Sequence, residues 1–239
     1  MERYACRHGL ENADRMKIRA ALIDMDGTLY DSMGYHSIAW QSVMRDLGVD
    51  TDRDEYFLYE GMTGKAILNL LLNKYFNRDV TDEEAVELYA RKAGYFNKMP
   101  EVKPMPGAKQ LLEHLTACGV KCVLVTGSGQ RSLIERLQRD FPGIFSREKM
   151  ITSAEVVHGK PDPEPYLKAM ALAGVEPHES IVIENAPLGV RSGAQSGAFT
   201  IGLTTGPIPA ETLAAEGADI VLPSMMALAE GARALTDID

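Results

Sequence analysis

Four short polar clusters in this 239-residue chain carry side chains able to do chemistry. The first is Asp24-Met25-Asp26-Gly27-Thr28-Leu29. Residues i and i+2 of an extended segment point to one side, so Asp24 and Asp26 can face one reacting group. A carboxylate can attack phosphorus to give an aspartyl-phosphate, and a second carboxyl can protonate the leaving group. Gly27 lets the chain turn away sharply. Taken alone, the pair is as compatible with a solvated turn as with a catalytic one. An EF-hand is excluded, because Leu29 stands where that loop needs glycine and Tyr35 where it needs glutamate.

The second cluster, Thr126-Gly127-Ser128-Gly129, offers a hydroxyl and backbone N–H groups that suit phosphate oxygens. It is not a dinucleotide fingerprint, since Ser132 stands where the third glycine belongs. The third, Gly159-Lys160-Pro161-Asp162-Pro163, sets a lysine in a rigid loop ahead of a helix, where it can neutralise phosphate and nucleophile together. The fourth, Ile183-Glu184-Asn185-Ala186-Pro187, supplies oxygens that can complete a magnesium site with Asp24 and the backbone carbonyl of Asp26. Each has an ordinary alternative: a small-residue turn, a surface lysine, a helix cap built on Asn185 ahead of Pro187.

Their common placement raises their weight. Short apolar runs at Ala20–Ile23, Val120–Val125, Ile181–Ile183, Phe199–Leu203 and Ile220–Leu222 read as buried strands, with Met150-Ile151 as a shorter one. Between them lie helical patterns, such as Leu111, Leu112, Leu115 and Cys118 ended by Gly119, and Tyr166, Leu167, Met170 and Ala171 stopped by Gly174. Leu133, Ile134 and Leu137 fit another face. Such alternation predicts a parallel sheet covered on both faces. The clusters sit at or just after the C-terminal ends of strands, where open parallel α/β sheets bind ligands.

From about Ser32 to Pro104 the pattern is helix only. Ile67, Leu68, Leu71, Leu72 and Tyr75 repeat at helical spacing, and Thr81 with Glu84 makes a capping-box pattern ahead of a helix with Leu88, Tyr89 and Phe96. About 70 residues are too many for one crossover, so residues 33–102 are expected to form a helical cap domain over the site. Residues 1–32 and 103–239 are expected to form the catalytic α/β core.

Hydrophobic residues make up 45% and charged residues 25%, the balance of a globular rather than a disordered chain. A net charge of −9 argues against nucleic-acid binding and requires any positive field to be local. Cys6, Cys118 and Cys122 form neither a Cys-x-x-Cys pair nor a zinc-ligand spacing and read as core thiols. No apolar run is long enough to cross a bilayer, and Met1 to Lys17 lack a signal core, so a cytoplasmic location is expected. The first sixteen or so residues read as a loose arm. No obligate protein partner is evident.

Together, Asp24-x-Asp26-Gly27-Thr28, Thr126, Lys160 and Glu184-Asn185 resemble the motifs of the haloacid dehalogenase superfamily of phosphotransferases. The likeness is to the branch that includes β-phosphoglucomutase and small-molecule phosphatases, and it covers nearly the whole chain after about Lys17. It implies a Rossmann-like sheet with an inserted all-helical cap, and it places the strand of Asp24 between those of Thr126 and Asn185. It implies Asp24 as nucleophile, Asp26 as general acid/base, and Thr126 and Lys160 as phosphate anchors beside Gly127 and Ser128. Asp24, Asp26, Asn185 and Glu184 are implied as the Mg²⁺ site. Dehalogenase chemistry is disfavoured, because those members lack the second aspartate.

The chain departs from the family where Glu-Asp is usual and Glu184-Asn185 stands, which removes one negative charge. Glu60, at the cap loop that faces the active site in this family, is the candidate to replace it, against the alternative of an exposed glutamate. β-Phosphoglucomutases place a lysine and an arginine in that loop to grip a second phosphate. Here Glu60 and Gly64 stand at those positions, with Lys65 one residue on as a partial substitute. His36 keeps a mutase-like position, as a gating or substrate-contact residue or as part of a cap helix. The combination of Glu60-Gly61, Thr126 to Gln130 and Glu184 to Gly189 looks most like a branch that hydrolyses inorganic pyrophosphate. The expectation is a Mg²⁺-dependent phosphohydrolase acting on pyrophosphate or another small phosphorylated substrate. A sugar-phosphate mutase is the alternative. A non-catalytic binding protein is the third reading, against which intact Asp24, Asp26 and Lys160 argue.

Overall fold

The computed structural model describes residues 17–236. The N-terminal arm and Cys6 of the sequence reading lie outside the described residues. Six parallel strands form one sheet in the order β3-β2-β1-β4-β5-β6. They are β1 (Ala20–Ile23), β2 (Lys121–Val125), β3 (Met150–Ile151), β4 (Ser180–Glu184), β5 (Phe199–Leu203) and β6 (Ile220–Leu222). The apolar runs are continuous rather than alternating because both faces are covered. Ala21 and Ile23 join one apolar cluster with Leu111, Leu112, Leu133 and Leu228. Ala20 and Leu22 join another with Tyr166, Ala169 and Met170.

The covering helices are α4 (Ala108–Ala117), α5 (Arg131–Asp140), α6 (Glu164–Ala173), α7 (Pro187–Gln195), α8 (Ala210–Ala215), α9 (Met225–Glu230) and α10 (Arg233–Thr236). They follow the insertion helices α1 (Met33–Asp46), α2 (Gly64–Phe76) and α3 (Asp82–Asn97). The stop signals work as expected: Gly174 caps α6 at φ +64°, and Gly119 follows α4 at φ +78°.

Between β1 and α4 the chain is helical, with a 3-10 turn over Asp54–Tyr59 between α1 and α2. The insertion has its own apolar cluster around Trp40, Val43, Tyr56, Leu68, Leu71 and Leu88. The expected cap ahead of α3 forms, with the Glu84 carboxylate shared with a basic neighbour. Thr81 accepts from Glu84 N at 3.2 Å, and the Glu84 carboxylate also binds Arg78 at 2.6 and 2.7 Å. Two antiparallel hydrogen bonds join the outgoing and return connections at the base of the insertion: Asp31 N donates to Lys103 O at 3.0 Å and Met105 N to Leu29 O at 2.8 Å.

Register explains why the polar clusters meet. Ile23 lies level with Leu124 on one side and Ile183 on the other. The next residues out of the sheet are Asp24, Val125 and Glu184, with Thr126 and Asn185 one step beyond.

Candidate active site

Asp24 leaves β1 at the centre of the sheet, its N–H held by Ile183 O at 3.0 Å. The chain turns at once: Leu29 N and Tyr30 N both donate to Met25 O. Gly27 makes the turn at φ +84°, and a Cβ there would lie 2.1 Å from Asn185 Nδ2. Glycine is therefore required twice, for its backbone angle and for the approach of Asn185.

Lys160 is buried and makes three contacts through Nζ: Asp24 Oδ1 at 2.6 Å, Glu184 Oε1 at 2.6 Å and Val125 O at 3.0 Å. Burial alone would lower its pKa, but Asp24 and Glu184 hold it above the ordinary lysine value. Burial and the nearby Glu184 carboxylate push Asp24 up to about 8, although Lys160 pulls the other way. One Asp24 oxygen is taken by the lysine, which leaves Oδ2 to attack.

Asp26 is organised differently. Ser32 Oγ donates to its Oδ1 at 2.6 Å, and His36 Nε2 lies 2.8 Å from the same oxygen. Behind the ring, Lys92 Nζ lies 2.6 Å from His36 Nδ1. When Lys92 is protonated it only donates, so in that state Nδ1 accepts and Nε2 carries the proton given to Asp26. The chain thus reads ammonium, neutral imidazole, carboxylate. Burial and Lys92 hold the His36 pKa down, consistent with the neutral ring. Burial raises Asp26, but His36, Ser32 and Lys92 together bring it down to about 2. Lys92 is 2% exposed, and burial lowers it to about 7. The rings of Trp40, Tyr89 and Phe96 surround its ammonium at 5.5, 5.4 and 5.3 Å.

Glu60 comes from the insertion and is 8% exposed. Its Oε2 accepts from Asn185 Nδ2 at 3.2 Å, while Oε1 has no hydrogen-bond partner. Burial, with Asp24, Asp26 and Glu184 nearby, raises its pKa well above the usual carboxylate range. Thr28 Oγ1 fixes the other side of the Asn185 amide at 3.2 Å. Thr126, Gly127 and Ser128 line the same chamber, and Ser128 N donates to Thr126 Oγ1 at 3.0 Å. The insertion sits directly on the core here: a Cβ on Gly127 would lie 2.3 Å from Gly61 O. The chamber is partly open to solvent and its volume is about 60 Å³, with Met33, Trp40, Tyr56 and Ile67 among its lining as an apolar wall.

The fold thus brings Asp24, Asp26, Thr126, Gly127, Ser128, Lys160, Asn185, Glu60 and His36 together. Two sequence expectations are corrected. Lys65 pairs with Asp82 on the exposed surface and does not reach the chamber, because α2 starts with Lys65 on its outer side. Glu184 does not offer a free oxygen to a metal. Its Oε1 binds Lys160 and Tyr166 OH, and its Oε2 accepts from Asn185 N and Ala186 N, ahead of α7. It acts as the fixed counter-charge that aims Lys160. The cap role considered for Asn185 also falls to this carboxylate, since Ala186 is the N-cap of α7 and makes no side-chain cap bond.

Sequence reading missed Ser32, Tyr89 and Lys92. A signal existed for Lys92: it lies on the apolar stripe of Leu88, Tyr89 and Phe96, where a lysine is out of place unless it has a partner.

A divalent cation fits this donor set. Asp24, Asp26, Glu60 and Glu184 crowd one buried region that holds the cations Lys160 and Lys92, and Glu60 Oε1 is an orphaned buried acceptor. Among the described residues, no three His, Cys, Asp or Glu side chains form a ready-made metal cage. A cation here would draw on Asp24, the Asp26 carbonyl, the Asn185 amide oxygen and Glu60.

Residues 18–197 match the family model of the haloacid dehalogenase-like hydrolases. The chain is 33% identical over 187 residues to validoxylamine A 7′-phosphate phosphatase of Streptomyces hygroscopicus subsp. limoneus, covering 78% of this chain and 86% of that protein. It is 29% identical over 211 residues to hexitol phosphatase A of Escherichia coli K12, covering 88% and 93%. A solved structure from Bacteroides vulgatus, provisionally called a β-phosphoglucomutase, superposes with a TM-score of 0.92 at 39% identity, covering 99% of this chain and 95% of that one. Among the described residues, no helix is long and apolar enough to cross a membrane.

Proposed function

The chain belongs to the haloacid dehalogenase-like hydrolases, and on that footing we propose that it is a Mg²⁺-dependent phosphohydrolase whose preferred substrate is inorganic pyrophosphate. Residues 33–102 act in this reading as a cap. The carrying observation is Glu60, a cap carboxylate with an unpartnered oxygen buried against Asn185 in a chamber of about 60 Å³. Burial and the neighbouring acids disfavour charge on Glu60 until a cation arrives, so the group suits a compact anion that brings a cation with it. The chamber is far smaller than the roughly 300–1,000 Å³ of sites that enclose larger organic ligands.

In the reaction, Asp24 Oδ2 attacks the near phosphorus in line. Asp26, a carboxylate in the free enzyme, receives a proton that the pyrophosphate anion carries in and passes it from Oδ2 to the departing phosphate. Asp26 then takes a proton from the water that cleaves the aspartyl-phosphate. Lys160 and the Thr126–Ser128 loop stabilise the charge on the transferring group. The neutral His36 and cationic Lys92 orient Asp26 and stabilise its carboxylate between the two proton transfers. A bound Mg²⁺ supplies charge neutralisation and Lewis acidity to the phosphoryl oxygens.

A second reading, a sugar-phosphate phosphatase, is supported by the names of the relatives and by the apolar wall of Met33, Trp40, Tyr56 and Ile67. A mutase has less support, because a second phosphate would need a free cap cation. Lys65 is paired with Asp82 outside the chamber, and Lys92 is committed to His36. The test is phosphate release from pyrophosphate, hexitol phosphates and hexose phosphates across a Mg²⁺ titration, with Asp24→Asn as control. Preferred turnover of pyrophosphate is expected. Faster turnover of hexitol phosphates would overturn the substrate assignment. Conversion of β-glucose 1-phosphate to glucose 6-phosphate without phosphate release would replace it with the mutase.

A further inference from the structure

We propose that Asn97 is a specificity-determining residue: with Gln130 and Ser132 it latches the cap at the closed angle and so limits the size of the phosphate compound admitted. This rests on the cap reading above but not on the identity of the substrate.

Asn97 is the last residue of α3, immediately before the return linker. Its Oδ1 accepts from two core groups at once, Gln130 Nε2 at 2.9 Å and Ser132 Oγ at 2.9 Å. Gln130 Nε2 also donates to Ser132 Oγ at 3.0 Å, which closes a triangle. Gln130 is 1% exposed, and its Oε1 already lacks a partner, so its amide has no spare interaction to fall back on. Gln130 is the N-cap of α5 and Ser132 lies in its first turn, directly after the phosphate-anchoring loop. The same face of α3 places Tyr89 OH against Gly129 N at 2.8 Å.

Position gives the triangle its leverage. A helix of sixteen residues is about 24 Å long, so a tilt of about 10° at its C-terminus moves its far end by about 4 Å. Further closure is blocked elsewhere, because Gly61 O already touches Gly127. Steric contact therefore stops the cap from going further in, and the Asn97 triangle, with the Tyr89–Gly129 and Glu60–Asn185 hydrogen bonds, holds it from swinging out. Releasing the triangle enlarges the chamber without touching Asp24, Asp26 or Lys160.

The experiment compares wild type, Asn97→Ala and Asn97→Asp on a compact and a bulky phosphate, acetyl phosphate and p-nitrophenyl phosphate, with Mg²⁺. Losing two hydrogen bonds should lower kcat/KM for acetyl phosphate by about 5- to 30-fold, chiefly through KM. Turnover of p-nitrophenyl phosphate should hold or rise, so the ratio moves about tenfold toward the bulky ester. Asn97→Asp keeps the acceptor and should restore the wild-type ratio. An unchanged ratio, or an equal loss on both esters, overturns the latch. If Asn97→Ala does not fold, Ser132→Ala removes two sides of the triangle, one of them the bond to Asn97, and a ratio left unmoved by that variant also overturns it. A wild type that turns over both esters but not pyrophosphate sinks the substrate assignment alone, and the latch is then decided on the esters.

Discussion

Replacing Lys92 with methionine should stabilise the fold and cripple the enzyme. The ammonium sits among three aromatic rings, 2% exposed, and its pKa falls from 10.5 to about 7. That drop corresponds to about 5 kcal/mol of unfavourable burial for the charged form. Methionine is unbranched and similar in length, so it can fill the channel without the charge. Recovery will be incomplete, because His36 Nδ1 loses its donor and Asp26 loses the cation behind the ring. A gain of about 1–4 kcal/mol is expected, or a rise in Tm of about 2–4 °C per kcal/mol. The sign with pH follows from linkage. The folded pKa lies below the unfolded one, so the penalty is complete below about 7 and fades as pH rises toward 10.5. The gap between variant and wild type should therefore be wide at pH 6 and narrow at pH 9.5. Meanwhile kcat should fall by about 10²-fold, the scale of acid–base assistance, because the Asp26 carboxyl is no longer poised. Thermal melts at the two pH values and phosphate-release kinetics read both effects. A variant that melts below wild type at pH 6, or keeps kcat within about threefold, refutes the account of Lys92 as a buried charge held for Asp26.

Asp24→Asn should abolish turnover and also flatten a stability trend. With Asp24 raised to about 8, the cation-free fold loses stability as pH climbs from the ordinary carboxylate range through 8. Melting curves in chelator should show that slope in wild type and lose it in the variant, and a slope that persists would point to another group. Glu60→Ala should raise the Mg²⁺ concentration for half-maximal activity by about tenfold, the size of about 1.4 kcal/mol, as read by titration. Unchanged metal dependence would remove Glu60 from the cation's surroundings. Gly127→Ala places a Cβ 2.3 Å from Gly61 O, so the cap should seat poorly. A loss in kcat/KM above about 10-fold with a change in Tm under about 4 °C is expected, and scattering should report a larger radius of gyration. Normal kinetics would show that this contact does not matter.

Much of this was legible in the chain because it depends on short-range rules. Apolar runs that give way to Asp24, Thr126 and Glu184 announce buried strands whose ends carry polar groups. Gly119 and Gly174 mark helix ends because glycine accepts a left-handed angle. The long helical stretch before Pro104 announces an insertion. These features need only neighbouring residues, and they sufficed for the fold class and for the order of Asp24, Thr126, Lys160 and Asn185 along it.

What the chain alone could not decide was which partner each charge would choose. Glu184 looked like a metal ligand but is consumed by Lys160, Tyr166 and two backbone N–H groups. Lys65 looked like a phosphate anchor, yet a local acid, Asp82, holds it outside. Lys92 drew no reading from the sequence, and only the docking of α3 sets it behind His36, while Asn97 meets Gln130 and Ser132 only across the seam between the helical insertion and the sheet domain. Ionic and hydrogen-bond partners in low-dielectric surroundings are selected by distances of an ångström, and those distances are set by how whole elements pack. The sequence therefore determined which residues stand at the strand ends, while only the packing of the helical insertion onto the sheet decided which of them face the substrate and which hold the others in place.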